Sequence, residues 1–539
     1  MSYTAHKDTF ARDSLPPVDQ WPEFHFDLPE LQYPERLNCA QVLLDDAIDE
    51  GHGDRVAIYS ESGNWSYAQL LQESNRIAHV LVDELGVVPG NRVLLRSANN
   101  PMLAACWFAV MKAGGIAVTT MSMLRAKELA TIAGIAQIDH VLCDARLIDE
   151  LSDAAASAGH FQNIMTFGDG GNLGAEAAKK PASFDNVPTA RDDVALLAFT
   201  SGTTGQPKAT MHFHRDVLAM SDVVSRHLCQ TQADDIYVGS PPLGFTFGLG
   251  VSLVFPLHFR AATVLIEQPT PDALLAGIQQ YRATALFTAP TMYRVLLQHL
   301  GKHDLSSLRQ CVSAGEMLPK PTSDGWFEAT GIRIIDGIGA TEMIHMFIGA
   351  RGEDIRPGAT GKPLPGYQAC ILDDQNNPLP RGATGRLAVK GPTGCRYLND
   401  ARQKEYVVDG WNVTGDVYHL DEDGYYWFQA RGDDVILSAG YNISGPEVEG
   451  TLLSHNAVAE CAAVAAPDPD RGNCVKAYIV LTAEAKASDE LVEELQNYVK
   501  QSIAPYKYPR AIEFVTALPK TRTGKVQRFK LREMAAADA

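Results

Sequence analysis

Phe199-Thr-Ser-Gly-Thr-Thr-Gly-Gln-Pro-Lys208 follows Val194-Ala-Leu-Leu-Ala198, a short apolar run that is typical of a buried strand. The motif is therefore expected at the carboxyl end of a strand, where α/β proteins bind ligands. Its small residues let backbone N–H groups approach phosphate oxygens, its hydroxyls add donors and Lys208 adds positive charge. The stretch predicts either a polyphosphate-binding loop or an ordinary Gly/Ser/Thr turn.

The motif differs from the phosphate loop of the P-loop NTPases. Gly202 and Lys208 are too close for G-x-x-x-x-G-K-[ST], and Ala209 follows the lysine. A phosphate cradle at the start of a helix is thereby excluded for this stretch.

The composition is that of a globular protein with several domains. The chain has 539 residues, of which 45% are hydrophobic and 21% charged, and a formal net charge of −19. This charge argues against general nucleic-acid binding, and no apolar stretch approaches the ~18 residues that span a membrane. The nine cysteines include no C-x-x-C pair, and Cys106 and Cys143 lie in apolar runs as core residues. We expect a cytoplasmic protein without membrane or nucleic-acid partners, whose oligomeric state the sequence leaves open.

Apolar patterns along the chain predict an α/β fold. Residues 1 to 36 are expected to form an irregular surface arm, and the segments that follow alternate between strand and helix, as in a parallel sheet. Residues 168–187 are predicted to be a loop, and a second α/β stretch should run from Val194 to Phe347. β-rich segments follow, and the last hundred residues are expected to form a small α+β unit. The predicted elements are a helix from Asn38 to Glu50, strands Arg92–Arg96, Ile116–Thr120, His140–Cys143, Gln368–Leu372 and Gly385–Val389, and helices Pro101–Lys112 and Leu124–Ile135.

The tail concentrates positive charge in an otherwise acidic chain. Nine Lys and Arg residues lie between Lys500 and Glu533, against only two carboxylates in the same stretch. This pattern fits either an anion-binding face or a solvated surface. Gly524 within the basic loop favours the first interpretation, because it would let Lys525 extend toward an anion.

Five motifs together resemble the acyl-adenylate-forming superfamily, which contains acyl-CoA synthetases, peptide-synthetase adenylation domains and luciferases. Their order and spacing carry the resemblance, which covers essentially the whole chain. The motifs are Thr200-Ser-Gly-Thr-Thr-Gly-Gln-Pro-Lys208, Gly339-Ala-Thr-Glu342, Thr414-Gly-Asp416, Arg431-Gly-Asp-Asp434 and Pro519-Lys-Thr-Arg-Thr-Gly-Lys525.

The resemblance implies a large N-terminal domain of α/β subdomains with a β-rich subdomain, over residues 1–432. A small mobile α+β domain would follow over residues 433–539. Asp433 would be the hinge between them, and Gly440 would approach the pantetheine arm of CoA.

The resemblance also implies a role for each motif residue. Lys525 would bridge the substrate carboxylate and the α-phosphate of ATP, Glu342 would hold Mg²⁺, and Thr204 would act with them as a catalytic residue. The nucleotide would further be bound by Thr200, Ser201, Gly202, Thr203, Thr204, Gly205, Lys208, Gly315, Glu316, Asp336, Gly337, Ile338, Thr341, Asp416 and Arg431.

Within the superfamily, Asp336-Gly-Ile-Gly-Ala-Thr-Glu-Met-Ile-His345 and the stretch from Thr200 to Asp216 look most like benzoate-CoA and 2-aminobenzoate-CoA ligases. Ile338 stands where most members have a tyrosine, a departure that those aryl ligases share. The resemblance implies an acyl pocket lined by Phe245, Phe247, Gly339 and His345. Glycines beside aromatic rings would suit a flat substrate.

Plainer interpretations stay open for several of these residues. Glu342 could cap a helix, and His345, among Met and Ile residues, could be an ordinary core histidine. The stretch from Ser240 to Gly250 could simply be the start of a hydrophobic helix.

The expected function is that of an ATP-dependent, AMP-forming aryl-CoA ligase with ATP, Mg²⁺, CoA and a small aryl carboxylate as its ligands. The enzyme alternatives are an adenylating protein that loads a carrier protein and a medium-chain acyl-CoA synthetase. A non-catalytic nucleotide-binding regulator is the alternative from another class, and the joint presence of Lys208, Glu342 and Lys525 argues against it.

Overall fold

The computed structural model describes residues 3–200, 207–431, 434, 436–438, 441–468, 472–503, 505–521 and 524–537. These residues form a mixed α/β structure with a large N-terminal part and a smaller C-terminal α+β unit, as predicted. Five sheets are present in this part of the chain, and the candidate site lies between the first two and a segment that joins two strands of the third.

The first sheet contains the strand that precedes the opening motif. Its first five strands are parallel, and the sixth pairs antiparallel with the fifth. The predicted strands Arg92–Arg96 and Ile116–Thr120 and the helix Pro101–Lys112 are confirmed, and the helix predicted from Leu124 spans Ala126–Ala136. The strand order is Asn163–Phe167, His140–Asp144, Arg92–Arg96, Ile116–Thr120, Val194–Thr200 and Lys208–Phe213.

The second sheet has nine strands, of which six adjacent ones are parallel. The second α/β stretch was predicted to begin at Val194, and the strand at its start, Val194–Thr200, belongs to the first sheet, whereas Val56–Ser60 joins the second. Apolar periodicity identifies a strand without showing which sheet it enters. The order is Lys362–Pro363, Met346–Gly349, Ile334–Gly339, Gln310–Ala314, Ala285–Thr288, Ile236–Gly239, Ala262–Leu265, Val56–Ser60 and Trp65–Ser66.

The third sheet is the predicted β-rich region, and all of its strand pairs are antiparallel. The predicted strand Gln368–Leu372 is confirmed, and the one predicted from Gly385 spans Thr384–Lys390. The remaining strands are Val407–Val408, Trp411–Leu420 and Tyr426–Arg431.

The C-terminal unit has its own hydrophobic core. Glu460 in this unit is 3.7 Å from Arg294 of the large part and 2.6 Å from Lys520 of its own unit. The strands are Ile436–Ser438, Tyr441–Ile443, Val458–Asp468, Gly472–Leu481 and Ala511–Phe514, and the helices are Gly445–Leu453, Asp489–Ser502 and Arg528–Ala537.

Most of the other helices accompany the first two sheets, whereas Gln403–Tyr406 packs on strands of the third. The predicted helix from Asn38 to Glu50 is confirmed as Gln41–Asp45, with π-type hydrogen bonding, followed by Asp46–Asp49. The others are Phe10–Asp13, Tyr67–Asp83, Ile148–Ala158, Leu173–Ala177, His214–Met220, Ser221–Cys229, Thr246–Leu249, Gly250–Val254, Phe255–His258, Pro271–Tyr281, Pro290–Leu297, Lys320–Thr330 and Gln403–Tyr406.

The structure corrects one prediction about irregular segments and adds detail to another. The 168–187 segment contains the short helix Leu173–Ala177, whose end residues are buried. The N-terminal arm is irregular but is also pinned to the β-rich region, since Glu23 N donates to Gly410 O over 2.9 Å and His25 N donates to Gly391 O over 3.0 Å. Backbone hydrogen bonds of this kind leave no pattern in the sequence.

Cys106 and Cys143 are fully buried, which confirms their predicted core positions. Among the described residues, no helix is both long and apolar enough to cross a membrane.

Candidate active site

Lys208, Glu342 and Tyr397 meet between the first two sheets and a segment that joins two strands of the third. Lys208 begins the last strand of the first sheet, and Glu342 lies in the turn Thr341–Met343 after a strand of the second. The Tyr397 hydroxyl donates to Glu342 Oε1 over 2.5 Å and accepts from Lys208 Nζ over 2.8 Å. The Lys208 ammonium is 3.8 Å from Glu342 Oε1, so the phenol connects the two charged groups.

Burial keeps the Tyr397 hydroxyl in its neutral form. The side chain is almost fully buried, and this burial raises its pKa far above the usual range, with Glu342 adding to the shift. A neutral phenol can donate to one carboxylate oxygen of Glu342 and leave the other free to accept a cation. Sequence reasoning missed Tyr397, because Cys395-Arg-Tyr397 has no pattern that points to a site.

The carboxylate fits the predicted magnesium role. Mg²⁺ bound to a nucleotide takes one or two protein carboxylates together with phosphate oxygens and waters. Glu342 supplies one buried carboxylate, and no cluster of three His, Cys, Asp or Glu side chains suited to a metal occurs in the described residues. This donor set matches a metal that is shared with a polyphosphate better than an all-protein metal site.

A buried polar layer lies beneath these residues. His212 Nε2 donates to Thr341 O over 2.8 Å and so holds the turn that carries Glu342. Asp216 and Arg396 form an ion pair in which both side chains are fully buried. Burial and the nearby Arg396 charge lower the pKa of His212 to about 3, so its ring is neutral at ordinary pH. Sequence reasoning gave these three residues no role, although a histidine on a wholly buried strand was a possible signal.

The opening motif connects two antiparallel strands at the edge of the first sheet. Thr200 ends one strand and pairs with Lys208, which begins the next. The predicted position at a strand's carboxyl end is therefore confirmed for Thr200. The predicted phosphate-binding residues Ser201, Gly202, Thr203, Thr204 and Gly205 lie outside the described residues.

The predicted adenine-slot residues follow two adjacent parallel strands of the second sheet. Gln310–Ala314 leads into Gly315 and Glu316, and Ile334–Gly339 contains Asp336, Gly337 and Ile338. Parallel pairing aligns these strand ends at one edge, with Ala314 opposite Gly337.

Close packing and burial mark two positions at this edge. A Cβ atom at Gly337 would clash with the Met346 sulfur, so a side chain there would require Met346 to move. Burial raises the pKa of Asp336 to about 8, so this carboxyl is largely protonated at neutral pH.

The predicted ribose-binding residues lie on neighbouring strands of the third sheet. Asp416 and Arg431 are register partners, which brings two positions 15 residues apart in sequence to the same level of the sheet. Asp416 is buried. The structure describes Arg431 only through its backbone pairing, and the predicted hinge Asp433 and CoA contact Gly440 lie outside the described residues.

His345 lies in an aromatic enclosure with Phe247 and Phe255. The ring centroids are 5.6 Å and 4.5 Å from that of His345, which is 3% exposed. Neither ring nitrogen makes a hydrogen bond of standard geometry to a described residue. Burial lowers the pKa of His345 to about 3, although the Phe247 backbone opposes the shift.

Glycines border this enclosure. A Cβ at Gly250 would lie 2.5 Å from His345 Cδ2, and one at Gly339 would lie 2.8 Å from the His345 backbone. The helix Thr246–Leu249 begins directly after Phe245, so the helix-start interpretation of this stretch is correct as local structure. That result is compatible with a pocket role, because Phe245 and Phe247 are both only half-buried.

Lys525 is exposed in a turn of the C-terminal unit. Its N–H donates to Thr521 Oγ1 over 3.1 Å, its carbonyl accepts from Thr521 N over 2.7 Å, and Gly524 takes the positive φ of 89° that this turn requires. The structure describes these bonds within the loop, and the approach of Lys525 to Glu342 stays a prediction.

The basic tail is less free to bind anions than its sequence suggested. Four of its cations are in ion pairs with carboxylates from earlier in the chain, which a count along the tail could not include. The pairs are Lys507 with Glu447, Lys520 with Glu460, Arg528 with Glu449 and Arg532 with Asp434.

Family models match most of the chain. A model described as AMP-binding enzyme matches residues 45–397, and one described as AMP-binding enzyme C-terminal domain matches residues 447–525. The chain belongs to the AMP-binding enzyme family. The domain boundary predicted at residues 432 and 433 falls between the two matched ranges and stays a prediction.

Several relatives of this AMP-binding enzyme are similar over nearly their whole length. Benzoate-CoA ligase of Thauera aromatica is 32% identical, over 94% of this chain and 97% of the relative. Acyl-coenzyme A synthetase ACSM3 of Homo sapiens is 31% identical, over 94% and 90%. The crystal structure of an anthranilate CoA ligase in complex with anthranoyl-AMP superposes with a TM-score of 0.91 at 32% identity, over 95% and 99%. The chain shares the class of these enzymes and is an acid–thiol ligase.

Tyr397→Phe tests the link between Lys208 and Glu342 in this AMP-binding enzyme. Losing a hydrogen bond to a charged group should slow adenylation about 10- to 100-fold, with little change in thioester formation from preformed adenylate. Pyrophosphate release and thioester formation are measured separately over a range of Mg²⁺ concentrations.

Tyr293→Phe is the matched control, since it removes another buried hydroxyl, which donates to Leu286 O over 3.0 Å inside the second sheet. Equal losses of adenylation in the two variants would show that Tyr397 acts only through stability.

Proposed function

We propose that this AMP-binding enzyme is an ATP-dependent, AMP-forming aryl-CoA ligase. It activates an aromatic carboxylate, 2-aminobenzoate or benzoate, as an acyl-adenylate and passes the acyl group to CoA. The observation that carries the aromatic assignment is the buried enclosure of His345, Phe247 and Phe255, bordered by Gly250 and Gly339. Aromatic side chains favour a flat ring, and Gly250 and Gly339 approach His345 so closely that neither position has room for a side chain. A histidine whose ring nitrogens make no standard hydrogen bond to a described residue favours a ring that carries a polar substituent.

The similar structure with bound anthranoyl-AMP supports the same class of acid, since anthranilate is 2-aminobenzoate. The benzoate-CoA ligase relative supports an aryl acid without deciding the substituent.

The first step joins two anions, so it needs positive charge and aimed donors. A carboxylate oxygen of the acid attacks the α-phosphorus of ATP, the bond from the α-phosphorus to the bridging oxygen breaks, and pyrophosphate leaves. Lys208 and the loop from Thr200 to Gly205 hold the β- and γ-phosphates, and Lys525 bridges the carboxylate and the α-phosphate. Mg²⁺ bound by Glu342 and phosphate oxygens would neutralise charge on the leaving group.

The nucleoside is held by residues on and directly after strands of the second and third sheets. Gly315, Glu316 and the stretch from Asp336 to Ile338 line the adenine slot, with Thr341 next to Glu342. Asp416 accepts hydrogen bonds from the ribose hydroxyls, and Arg431 donates nearby.

The second step is attack of the CoA thiolate on the acyl carbonyl carbon. The C–S bond forms, the bond between the acyl carbon and the phosphate oxygen breaks, and AMP leaves. Gly440 lies beside the pantetheine arm, and the C-terminal domain turns at Asp433 between the two steps.

A second candidate is a medium-chain acyl-CoA synthetase, which the similarity to an acyl-coenzyme A synthetase, ACSM3, supports without naming the acid. An adenylating enzyme that loads a carrier protein would differ from both of these candidates only in the thiol that accepts the acyl group.

A panel of acids tests the proposed function. We expect pyrophosphate release with benzoate, 2-aminobenzoate or salicylate to exceed that with medium-chain fatty acids at least about tenfold in kcat/KM. Product formation with free CoA then distinguishes the ligase from a carrier-protein loader. Preference for a fatty acid would refute the aryl assignment, and pyrophosphate release with none of the acids would refute both candidate substrate classes.

His345→Ala tests the polar edge of the pocket. Loss of a buried hydrogen-bonding partner should raise KM for the preferred substituted acid about tenfold and leave KM for ATP within twofold. Because a pKa near 3 keeps the ring neutral, the pH profile of activity between pH 6 and 9 should not move. Unchanged KM and kcat for the acid would leave His345 as a core residue.

Asp433→Pro tests the proposed hinge. Fixing φ at one residue should hold the C-terminal domain in one orientation, so one half-reaction should fall at least about tenfold more than the other. Pyrophosphate release and conversion of supplied adenylate to thioester are measured on the same preparation. Equal losses in both half-reactions would contradict a hinge at this position.

A further inference from the structure

Asn99 connects the first sheet to the loop that carries the pocket aromatics. It follows the strand Arg92–Arg96, and its side chain is buried at 7% exposure. Asn99 Oδ1 accepts from Leu243 N over 2.8 Å, and Asn99 Nδ2 donates to Pro241 O over 3.1 Å. Both polar atoms of the Asn99 side chain are thus hydrogen-bonded to the backbone of one loop, which lies 142 to 144 residues away in sequence.

The loop fits tightly on both sides of this contact. On one side, Ser240 N donates to Phe287 O over 3.1 Å, which ties the loop to the second sheet. On the other side, a Cβ at Gly244 would lie 3.0 Å from backbone atoms of Thr120 and Met121 in the first sheet. The segment therefore bridges the carboxyl edges of the two sheets and has little room to shift without losing these contacts.

Movement at Pro241–Leu243 would pass directly to the pocket. Phe245 N donates to Pro242 O over 3.0 Å, and Leu249 N donates to Phe245 O over 2.8 Å. The helix Thr246–Leu249, which carries Phe247, is therefore hydrogen-bonded in series to the segment that Asn99 holds. Because Phe247 packs against His345, the position of the Phe247 ring relative to His345 depends on where this helix begins.

We infer that Asn99 is a positioning residue that sets acid selectivity from outside the pocket. By fixing Pro241 and Leu243, it fixes the start of the helix and hence the distance between Phe247 and His345. The inference rests on the proposed function in that Phe247 and His345 are taken to line the acyl pocket. Asn99 itself is not taken to touch the substrate.

The neighbouring residue provides a matched control. Asn100 caps the helix Pro101–Lys112 by accepting from Leu103 N over 3.0 Å, and its Nδ2 donates to Glu267 Oε1 over 2.9 Å. Asn100→Ala should therefore destabilise the same region through a lost cap without releasing the loop.

The experiment compares kcat/KM for 2-aminobenzoate and benzoate in the wild type, Asn99→Ala and Asn100→Ala. For Asn99→Ala we expect KM for the preferred acid to rise about tenfold and KM for ATP to stay within twofold. The preference for one acid over the other, given by the ratio of the two kcat/KM values, should fall at least about threefold. Asn100→Ala should lower the melting temperature and leave the ratio unchanged. A ratio of two acids measured on one preparation does not depend on the fraction of folded enzyme.

Asn99→Asp keeps the acceptor for Leu243 and loses the donor to Pro241 in a side chain of the same shape. Its selectivity should lie between those of the wild type and Asn99→Ala, and it supplies the test if the alanine variant does not fold. The inference is overturned if either Asn99 variant leaves the ratio unchanged, or if KM for ATP rises together with KM for the acid. If the wild type instead prefers aliphatic acids, the aryl assignment fails, and the ratio for two chain lengths tests Asn99 in the same way.

Discussion

The buried ion pair between Asp216 and Arg396 supports the candidate site. Both side chains are fully buried, and each charge is tolerable in the interior only because the other lies against it. Asp216 follows the strand that begins with Lys208, and Arg396 directly precedes Tyr397. The pair therefore fixes the relative height of a strand of the first sheet and of the segment that supplies the phenol. Aromatic rings also surround the Arg396 guanidinium, which lies 3.9 Å from the ring centroid of Phe213 and 4.9 Å from that of Phe24.

The residues of the site come from several short segments above this ion pair and not from a single motif. Glu342 lies on a turn that His212 holds, and Lys208 lies at the start of an edge strand. Tyr397 lies on a segment that the N-terminal arm covers. Each of these groups comes from a different sheet or connection. A small displacement of one sheet against another would separate them, which explains why charged and polar contacts are buried at the junction.

Much of the fold could be predicted from the sequence because strands and helices with one or two buried faces have recognisable periods. Pro101–Lys112 was predicted correctly to the residue, since its proline start and glycine end are both local signals. The allocation of Val194–Thr200 and Val56–Ser60 to their sheets could not be predicted, because it depends on pairing between distant segments.

The same division holds for the site. Glu342 and Lys208 lie in motifs, and the structure places their charged groups 3.8 Å apart. The residues that sequence reasoning missed act through contacts between segments up to 189 residues apart, and such contacts leave no local pattern in the sequence. These residues are Tyr397, His212, Asp216 and Arg396. The pairing of the basic tail could not be predicted for a similar reason, because its carboxylate partners, such as Glu449 for Arg528, come from elsewhere in the chain.

The contact between Arg294 and Glu460 has a consequence for the ease with which the C-terminal unit could turn. Glu460 also binds Lys520, which belongs to the same unit and would travel with it, so the carboxylate would keep a partner in any orientation. Only Arg294 would return to water, and a partly exposed ion pair of this kind contributes about 0–1 kcal/mol. The Arg294–Glu460 pair thus stabilises the present orientation by an energy close to that of thermal motion, and added salt would weaken this pair further.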